Sequence, residues 1–493
     1  GATRFLGRVG AAAIMGKRTN GASRRSSRSS AATPARMAAL AVLIEAEQRD
    51  AYTREVLKTA RSRWNLDARD DAFAQRLALG VTATVGCLDD LLAQHLDKPG
   101  KVSPRVRMAL RLAVFELLYL STPTEVAVSQ GVELVRSQAS AAASLANAVL
   151  RRVALAAPGF LAASDAVADQ RGIVQEARGA GLPVWLARSI VASIGEDRMR
   201  LLCTAQLDPA PIAFHVHPGC EDPRIAMDSI ERYPGCIVPS HPSSLLRSGL
   251  LDDASLVVSD EHAQLVATLA TRAGSCLEIG AGRGTKTFVM ACQALRAGFG
   301  GRHHVAVDLF EGKCSQNLAR LAAAGFSGIE AYAGDAIDLD IVLRPLDERA
   351  GATVRFDTVL VDAPCSGTGT MRRHPEIPWR LTRRDVEHEL PSLQLQLLRA
   401  AARRVDAGGE LVYATCSVLG SENVEVVEAF LSSEEGSGFS LASVADVQIL
   451  HQPGFEDALA RVRSLAGADG FLQSIPCAGA ADGHFCARLV RCS

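Results

Sequence analysis

Two cysteines and an aspartate stand where apolar segments give way to loops of small residues. Asp362 and Cys365 follow the β-branched segment Thr358 to Val361. Cys416 follows a second apolar segment of the same design. Such a run followed by Pro and Gly predicts a buried strand that ends in a turn. Because ligands bind beyond the carboxyl ends of strands in open α/β sheets, this spacing predicts thiol chemistry on a bound ligand.

A Gly-rich turn lies within the segment Ser275 to Thr287, between a predicted strand and a predicted helix. Gly280, Gly282 and Gly284 permit a tight turn and a close approach of the backbone to a ligand. The amino terminus of the following helix favours a carboxylate. Dinucleotide-binding enzymes use similar turns, so the turn alone does not identify the ligand.

The next predicted strand, His304 to Asp308, also ends in a carboxylate. In folds of this type, a carboxylate at this place accepts hydrogen bonds from both ribose hydroxyls of a bound nucleotide. The alternative is that Asp308 caps the helix predicted from Leu309 onward. A third predicted strand is followed by Asp335, which is either a ligand contact or only a turn residue.

The segments Asp362 to Gly369 and Thr415 to Ser417 together resemble the Sun-type RNA cytosine-5 methyltransferases. Their two motifs, Asp-Ala-Pro-Cys-Ser-Gly-Thr-Gly and Thr-Cys-Ser, recur here in the order and spacing of that family. The Gly-rich turn departs from the family pattern, because its usual Cys and Pro are absent and Glu278 replaces an Asp. It still fits the broader acidic-x-Gly-x-Gly-x-Gly turn of S-adenosylmethionine-dependent methyltransferases.

The resemblance implies S-adenosylmethionine as the cofactor, with Asp308 at its ribose and Asp335 near its adenine. The predicted cofactor-binding residues are Glu278, Gly280, Ala281, Gly282, Arg283, Gly284, Thr285, Lys286, Asp308, Asp335 and Asp362.

The predicted catalytic residues are Cys416, Cys365 and Asp362. Carbon 5 of cytosine is a poor nucleophile, and a thiolate that adds at carbon 6 makes carbon 5 enamine-like. In DNA cytosine-5 methyltransferases the cysteine of Pro-Cys attacks, which would indicate Cys365. The RNA family uses the cysteine of Thr-Cys, so the resemblance assigns attack to Cys416 and product release to Cys365. Asp362 is predicted to hydrogen-bond the cytosine edge near nitrogen 3.

With 493 residues, the chain is long enough for two or three domains. We predict a disordered basic tail over residues 1–34 and a helical bundle over 35–155. Linker helices and a small α+β subdomain, with a short strand at Ser244 to Leu246, are predicted over 156–255. A Rossmann-like α/β methyltransferase domain is predicted over 256–493, with a loop insertion over 436–467.

Three stretches of the helical region resemble NusB-like RNA-binding domains: Asp70 to Val81, Ala109 to Leu118 and Ala146 to Arg152. This resemblance implies RNA contact through residues such as Arg105, Arg107, Arg151 and Arg152. The alternative is a plain helical bundle that packs on the enzyme.

A basic segment after Gly369 is the second candidate RNA contact. It contains Arg372, Arg373, Trp379 and Arg380, which combine positive charge with a stacking face. The alternative is a solvated basic loop.

His215 and His217 lie two residues apart on a predicted strand. Because no third ligand lies nearby, we expect no metal site there.

The composition is globular, with 48% hydrophobic and 22% charged residues, and no apolar run is long enough to span a bilayer. The 12 cysteines lack Cys-x-x-Cys pairs and indicate reduced thiols in the cytoplasm. The formal net charge is −1, yet residues 1–36 carry only basic charges.

We therefore expect a monomeric cytoplasmic enzyme that methylates small-subunit ribosomal RNA at cytosine carbon 5. Transfer RNA is the alternative substrate. A non-catalytic RNA-binding assembly factor with the same fold is the alternative from another class.

Overall fold

The computed structural model describes residues 31–60, 63–162, 171–222, 225, 229–300 and 302–492. Most of the predicted basic tail, residues 1–30, lies outside the described residues. No helix in these ranges is both long and apolar enough to cross a membrane. The multidomain architecture predicted from the sequence is confirmed: a helical bundle, a small sheet and a large mixed sheet follow one another along the chain.

The amino-terminal region is a bundle of helices whose apolar faces meet in one core. Leu77, Leu88 and Leu110 are among the fully buried side chains of that core. The bundle also buries an ion pair, in which Arg36 donates to both carboxylate oxygens of Glu116 at 2.6 and 2.7 Å. The helices are α1 (Pro34–Arg49), α2 (Thr53–Ala60), α3 (Ala68–Ala93), α4 (Pro104–Tyr119), α5 (Thr124–Gln138) and α6 (Ala143–Ala162).

The middle of the chain forms short helices and a four-stranded antiparallel sheet with the order β2-β3-β1-β4. Its helices are α7 (Arg171–Gly179), α8 (Val184–Ile194), α9 (Glu196–Ala205) and α10 (Pro242–Leu246). Its strands are β1 (Phe214–Val216), β2 (Ser229–Tyr233), β3 (Cys236–Pro239) and β4 (Leu256–Val258).

Two expectations for this middle region are wrong. The segment from Ser244 to Leu246, expected to be a strand, lies in α10 because Pro242 starts a helical turn there. The strand β4 begins at Leu256, where we placed the start of the catalytic domain, but it pairs with β1 of the small sheet.

His215 is fully buried, and its two ring nitrogens lie 2.8 Å from Gln264 Oε1 and 3.1 Å from Arg296 Nη1.

The carboxyl-terminal region is built on an eight-stranded sheet with the order β10-β12-β9-β8-β5-β6-β7, to which β11 is added beside β12. The strands from β5 to β9 pair in parallel, whereas β10, β11 and β12 are antiparallel. The strands are β5 (Cys276–Ile279), β6 (His304–Asp308), β7 (Ile329–Ala333), β8 (Phe356–Asp362), β9 (Val405–Thr415), β10 (Phe439–Ala442), β11 (Leu472–Gln473) and β12 (Phe485–Arg491).

Helices cover both faces of this sheet, so its central strands are mostly apolar. The helices of this region are α11 (Glu261–Leu269), α12 (Thr285–Arg296), α13 (Glu311–Ala323), α14 (Leu339–Val342), α15 (Arg344–Ala350), α16 (Ile377–Arg380), α17 (Leu390–Ala402), α18 (Val424–Leu431) and α19 (Glu456–Leu465). Residues 436–467, which we expected to be a loop insertion, instead supply the edge strand β10 and the helix α19. The chain order reverses between β5 and β8, which is where such sheets bind ligands.

The basic segment after Gly369 joins the large sheet to the helical bundle. The indole nitrogen of Trp379 donates to the carbonyl of Ala83 at 2.7 Å, and the Thr53 amide donates to Glu376 at 2.7 Å. The Trp379 ring lies against Gly86 of α3, where an added Cβ would stand 2.0 Å from the ring atom Cζ3. Glycine at this helical position therefore makes room for the tryptophan that ties the two regions together.

We predict that Gly86→Ala destabilises the protein by about 1–3 kcal/mol, because the new methyl group forces Trp379 out of its site. The matched control is Gly159→Ala in α6, where nothing lies within 4 Å of an added Cβ. Helix propensity favours alanine at both positions, so the control should gain up to about 1 kcal/mol. Unfolding midpoints that shift in the same direction for both variants would contradict this packing.

Candidate active site

Parallel pairing brings the carboxyl ends of four strands to one edge of the sheet. Ile279 at the end of β5 pairs with Val307 on one side and Val361 on the other. At the end of β8, Asp362 pairs with Ala414 of β9. The Gly-rich turn, Asp308, Asp362, Cys365 and Cys416 therefore lie along the same edge, as the sequence predicts.

The Gly-rich turn passes so close to β8 that it excludes side chains. Gly280 has a φ of +80°, and a Cβ there would stand 2.3 Å from the carbonyl oxygen of Asp362. Gly284 has a φ of +78°, and a Cβ there would stand 2.1 Å from Asn317 Oδ1. Both positions need glycine, because the left-handed conformation and the lack of space each disfavour a side chain. Ala281 is buried, and α12 begins directly after the turn at Thr285.

Glu278 supports this turn from inside the sheet. Its side chain is fully buried, and its Oε2 accepts hydrogen bonds from Thr287 Oγ1 at 2.7 Å and from His304 Nε2 at 3.1 Å. Asn317 donates to the same Thr287 hydroxyl at 3.0 Å. Glu278 thus fixes the start of α12 against β6. Its carboxylate is fully buried and is therefore not accessible to a ligand in this structure.

Asp308 is not the N-cap of α13, which is Phe310, but its carboxylate bonds two nearby backbone amides. Its Oδ2 accepts a hydrogen bond from the Gly282 amide at 3.0 Å, which ties the Gly-rich turn to β6. Its Oδ1 accepts from the Phe310 amide at 3.0 Å, just before α13, and Lys313 Nζ lies 3.5 Å away. The carboxylate therefore fixes the chain between β6 and α13, and it stands at the strand end where the ribose contact is predicted.

The remaining residues of the predicted cofactor set lie around this turn. Asp335 accepts a hydrogen bond from the Ile337 amide at 3.0 Å and so caps a short 3-10 turn. Arg320 donates to the Arg283 carbonyl at 2.7 Å and to the Thr285 hydroxyl at 3.1 Å. The Arg283 side chain itself is exposed at the mouth of the turn.

Lys286 and Asp362 form an ion pair between the turn and the cysteine loop. The Lys286 ammonium donates to Asp362 Oδ2 at 2.7 Å, and both side chains are mostly buried. Burial by itself would lower the pKa of Lys286, but the adjacent Asp362 charge outweighs it, and the pKa is raised. The Lys286 ammonium therefore keeps its charge at neutral pH and places a cation close to Cys416.

The two cysteines are in contact. The Cys365 and Cys416 sulfur atoms lie 3.2 Å apart, and the Cys416 amide lies 3.3 Å from the Cys365 sulfur. As a donor, the Cys365 thiol lowers the pKa of Cys416, and the positive charge of Lys286 acts in the same direction. Burial and the charges of Asp362 and Glu422 oppose this shift without reversing it. Of the two sulfurs, Cys416 is the one whose pKa is lowered, and the nearby Lys286 cation contributes to that shift.

A buried polar network holds the two cysteine loops together, and our sequence reasoning missed it. Glu422 is fully buried and accepts hydrogen bonds from residues that directly follow both cysteines, Ser366 and Ser417. Asn423 donates to the Ser417 carbonyl at 2.9 Å. The sequence offers only a Glu-Asn pair six residues after Cys416 and just before a helix, which does not by itself mark a buried carboxylate.

The predicted RNA-contacting residues have other roles in this structure. Arg372, whose side chain is 1% exposed, donates to Asp482 Oδ1 at 2.7 Å. Arg373 donates to Asp482, to Asp260 and to the Pro211 carbonyl. The structure therefore contradicts a direct phosphate contact by Arg372, because its guanidinium is enclosed by protein.

Two more residues of that segment face the helical bundle. Trp379 bonds to Ala83, so its ring packs on α3 and is not free to stack on a base. Arg380 pairs with Asp50 at 3.0 Å and lies over the Tyr52 ring, with its side chain 42% exposed. Among the four residues, Arg380 is the most exposed to a ligand, whereas Arg372, Arg373 and Trp379 fix the position of the segment.

Comparisons with known proteins match the two large regions separately. The family model described as 16S rRNA methyltransferase RsmB/F matches residues 273–490, and the NusB family model matches residues 33–155. The ribosomal RNA small subunit methyltransferase B of Thermus thermophilus is 31% identical over 418 residues, covering 82% of this chain and 88% of that protein. The protein of the same name from Pseudomonas putida is 30% identical, with 82% and 90% covered.

The crystal structure of PH0851 is similar with a TM-score of 0.69, covering 93% of this chain and 98% of that chain. At 20% identity this likeness concerns the fold alone.

S-adenosylmethionine, the cofactor predicted from the sequence, is confirmed by the match to a methyltransferase family. The residues present fit it. The turn is open at Gly282, where an added Cβ would meet only the Gly280 carbonyl oxygen at 4.0 Å, and Asp308 offers a carboxylate at the strand end. Lys286 is neutralised by Asp362, so the edge does not repel a cationic sulfonium donor.

We predict that Asp308→Ala weakens binding of S-adenosylmethionine by roughly 1.5–3 kcal/mol, because charge-assisted hydrogen bonds are lost. Asp338→Ala, at an exposed position after the next strand, is the control and should bind normally. Titration calorimetry measures both affinities. An unaltered affinity of the Asp308 variant would show that this strand end does not hold the cofactor.

Proposed function

The chain belongs to the family of RsmB/F 16S rRNA methyltransferases, and from this premise we propose that it methylates carbon 5 of a cytosine in small-subunit ribosomal RNA. In this proposal Cys416 is the nucleophile and forms a covalent adduct with carbon 6 of the base. The observation that carries the proposal is the contact between the two thiols at 3.2 Å, with the lowered pKa on Cys416. We also propose that the enzyme works as a monomer in the cytoplasm, where its substrate is made.

The proposed reaction follows from the positions of the side chains. The Cys416 thiolate forms a bond to carbon 6, and the electrons of the carbon 5–carbon 6 double bond shift towards the ring edge. Nitrogen 3 takes up a proton from solvent as charge develops there, and Asp362, held by Lys286, accepts a hydrogen bond from that N–H until the proton is given back on release. Bound S-adenosylmethionine supplies the methyl group for carbon 5. The carbon 5 proton is then removed, its electrons restore the double bond, and the Cys416 sulfur leaves.

Cys365 is assigned to the release step. Its sulfur already touches the Cys416 sulfur, so it remains next to carbon 5 and carbon 6 when the adduct forms. The loop that carries Cys365 is held next to Cys416, because the Gly369 amide donates to the Cys416 carbonyl at 2.8 Å. A group that is fixed beside the adduct, but is not itself the stronger nucleophile, is suited to the later proton transfer.

We predict that Cys416→Ala forms neither methylated RNA nor a covalent complex, because the nucleophile is gone. Cys365→Ala should still add and methylate but fail to release, leaving a protein–RNA adduct that survives denaturing electrophoresis. The double variant should behave as Cys416→Ala, since a release step has no role when addition never occurs. The opposite pattern, with an adduct only in Cys416→Ala, would assign the attack to Cys365.

A cavity between the helical bundle and the catalytic region is the proposed path for the RNA. It has a volume of about 450 Å³ and borders Met371, Arg372 and Pro375, just beyond the catalytic loop. Arg54 and Arg76 supply positive charge along its wall, and Tyr119 supplies an aromatic ring. Cations beside a ring surface suit the phosphates and bases of single-stranded RNA.

We predict that Arg76→Ala weakens RNA binding similarly for all sequences and lowers the salt dependence of the binding constant by about one unit of slope, because one phosphate contact is lost. Arg69 is exposed two turns earlier on the same helix and does not line the cavity, so Arg69→Ala is the control. Equal salt slopes for the Arg76 variant and the unaltered protein would exclude this path.

A further inference from the structure

The cavity between the helical bundle and the catalytic region has largely apolar walls. Phe115 and Tyr119 of α4 border it, and their rings are stacked with centroids 5.5 Å apart. Leu79 of α3 borders it from the bundle, and Met371 borders it from the catalytic region. Its volume of about 450 Å³ lies within the range of small-molecule sites, roughly 300–1,000 Å³. The cavity can therefore enclose a flat, partly apolar group.

One buried polar side chain on this wall has no partner. Gln206, which directly follows α9, is only 3% exposed, and its side-chain amide forms no hydrogen bond with any residue that the structure describes. The amide atoms nevertheless keep some solvent-accessible surface, and because the residue borders the cavity, that surface faces it. Leaving a buried amide unpaired costs free energy, which a ligand that pairs with it would recover.

The other polar side chains around the cavity are engaged or exposed. Gln75 Nε2 donates to Asp71 at 2.9 Å. Arg54 and Arg76 border the cavity with exposed side chains, so their charges lie nearer to solvent than the buried amide does. The cavity therefore combines cations towards solvent with one unpaired donor and acceptor further in.

This combination matches the parts of a nucleotide. A side-chain amide presents an acceptor and a donor next to each other, and the edge of a nucleobase does the same. The apolar and aromatic walls suit the faces of the base, and the arginines suit its phosphates. An aliphatic ligand would leave the amide unpaired, and an anion alone would meet the amide oxygen without a donor.

The cavity lies close enough to the thiols to serve the same RNA strand. Met371 comes six residues after Cys365, so the Cα atoms of these two residues are at most about 22 Å apart. Pro375 also borders the cavity, in the same segment. A base in the cavity can therefore belong to the strand whose cytosine is bound at Cys416.

We propose that this cavity is a second base-binding site, in which the Gln206 amide pairs with the edge of one unstacked nucleobase other than the target cytosine. The inference rests on the proposed function, because it assigns a further base of the same substrate strand. Single-stranded RNA is recognised in this way, through bases that leave the stack and pair with protein groups along their edges. Gln206 thus contributes to the choice of the sequence around the target.

The test combines one change in the protein with one change in the RNA. Fluorescence anisotropy measures the binding of single-stranded octamers of adenylate, cytidylate and uridylate, and of an octamer with the same backbone and no bases, all without cofactor. Gln206→Leu should weaken binding of at least one base-containing octamer by roughly three- to tenfold, because the hydrogen bonds of the amide are lost. Binding of the abasic octamer should stay the same. An equal loss for all octamers, or no loss for any, would overturn the inference.

The variant also separates binding from folding. Leucine is close to glutamine in shape and removes an amide that has no partner, so Gln206→Leu should unfold at the same temperature as the unaltered protein or at a higher one. Gln396→Leu, which alters an exposed glutamine of α17 away from the cavity, is the control and should bind every octamer normally.

Photocrosslinking decides the case if Gln206→Leu does not fold. The unaltered protein is irradiated with an octauridylate whose bases are photoreactive thiouracil, and the crosslinked peptides are identified by mass spectrometry. Crosslinks should include peptides that contain Tyr119, Gln206 or Met371. Crosslinks confined to other parts of the chain would overturn the inference.

None of these measurements involves methyl transfer, so they separate the site from the reaction. A protein that shows the base dependence at Gln206 but forms no adduct through Cys416 would reject the proposed function and retain the base-binding site. A protein that forms the adduct but binds all octamers alike with and without Gln206 would retain the function and reject the site.

Discussion

The contact between the Cys365 and Cys416 sulfurs depends on the parallel pairing of β8 with β9. In that register Asp362 faces Ala414, so both strands end together and their loops begin side by side. The thiols then meet at 3.2 Å although 51 residues separate them in the chain. Buried hydrogen bonds through Glu422 hold the loops in that arrangement, and the Lys286–Asp362 pair joins them to the Gly-rich turn. A one-residue shift between the two strands would separate the thiols.

The same loop also links the site to the helical bundle. After Gly369, whose amide bonds to Cys416, the chain continues through Arg372 and Arg373, which are fixed by Asp482, to Trp379 against α3. The bundle therefore packs on a segment that is continuous with the loop that carries Cys365. RNA bound in the proposed path between the two regions would lie along this segment, close to Cys365 and Cys416.

Much of this arrangement could be predicted from the sequence. Apolar strands that end in Asp308, Asp362 and Cys416 indicated which residues share one edge, because parallel strands have one carboxyl end. The roles of Arg372 and Trp379 could not be predicted, since a basic, aromatic segment has the same composition whether it faces RNA or another domain. Glu422 was missed for a similar reason: its partners are hydroxyl groups from distant loops, and no local pattern marks a carboxylate as buried.

The central claim is that this edge of the sheet methylates carbon 5 of cytosine. The most direct measurement is to incubate the protein with small-subunit ribosomal RNA and S-adenosylmethionine labelled in its methyl group, digest the RNA to nucleosides and identify the labelled product by mass spectrometry. The account predicts label in 5-methylcytidine and none when Cys416 is replaced by alanine. Label in a nucleoside methylated at a nitrogen or a ribose oxygen, or 5-methylcytidine from the Cys416→Ala protein, would contradict it.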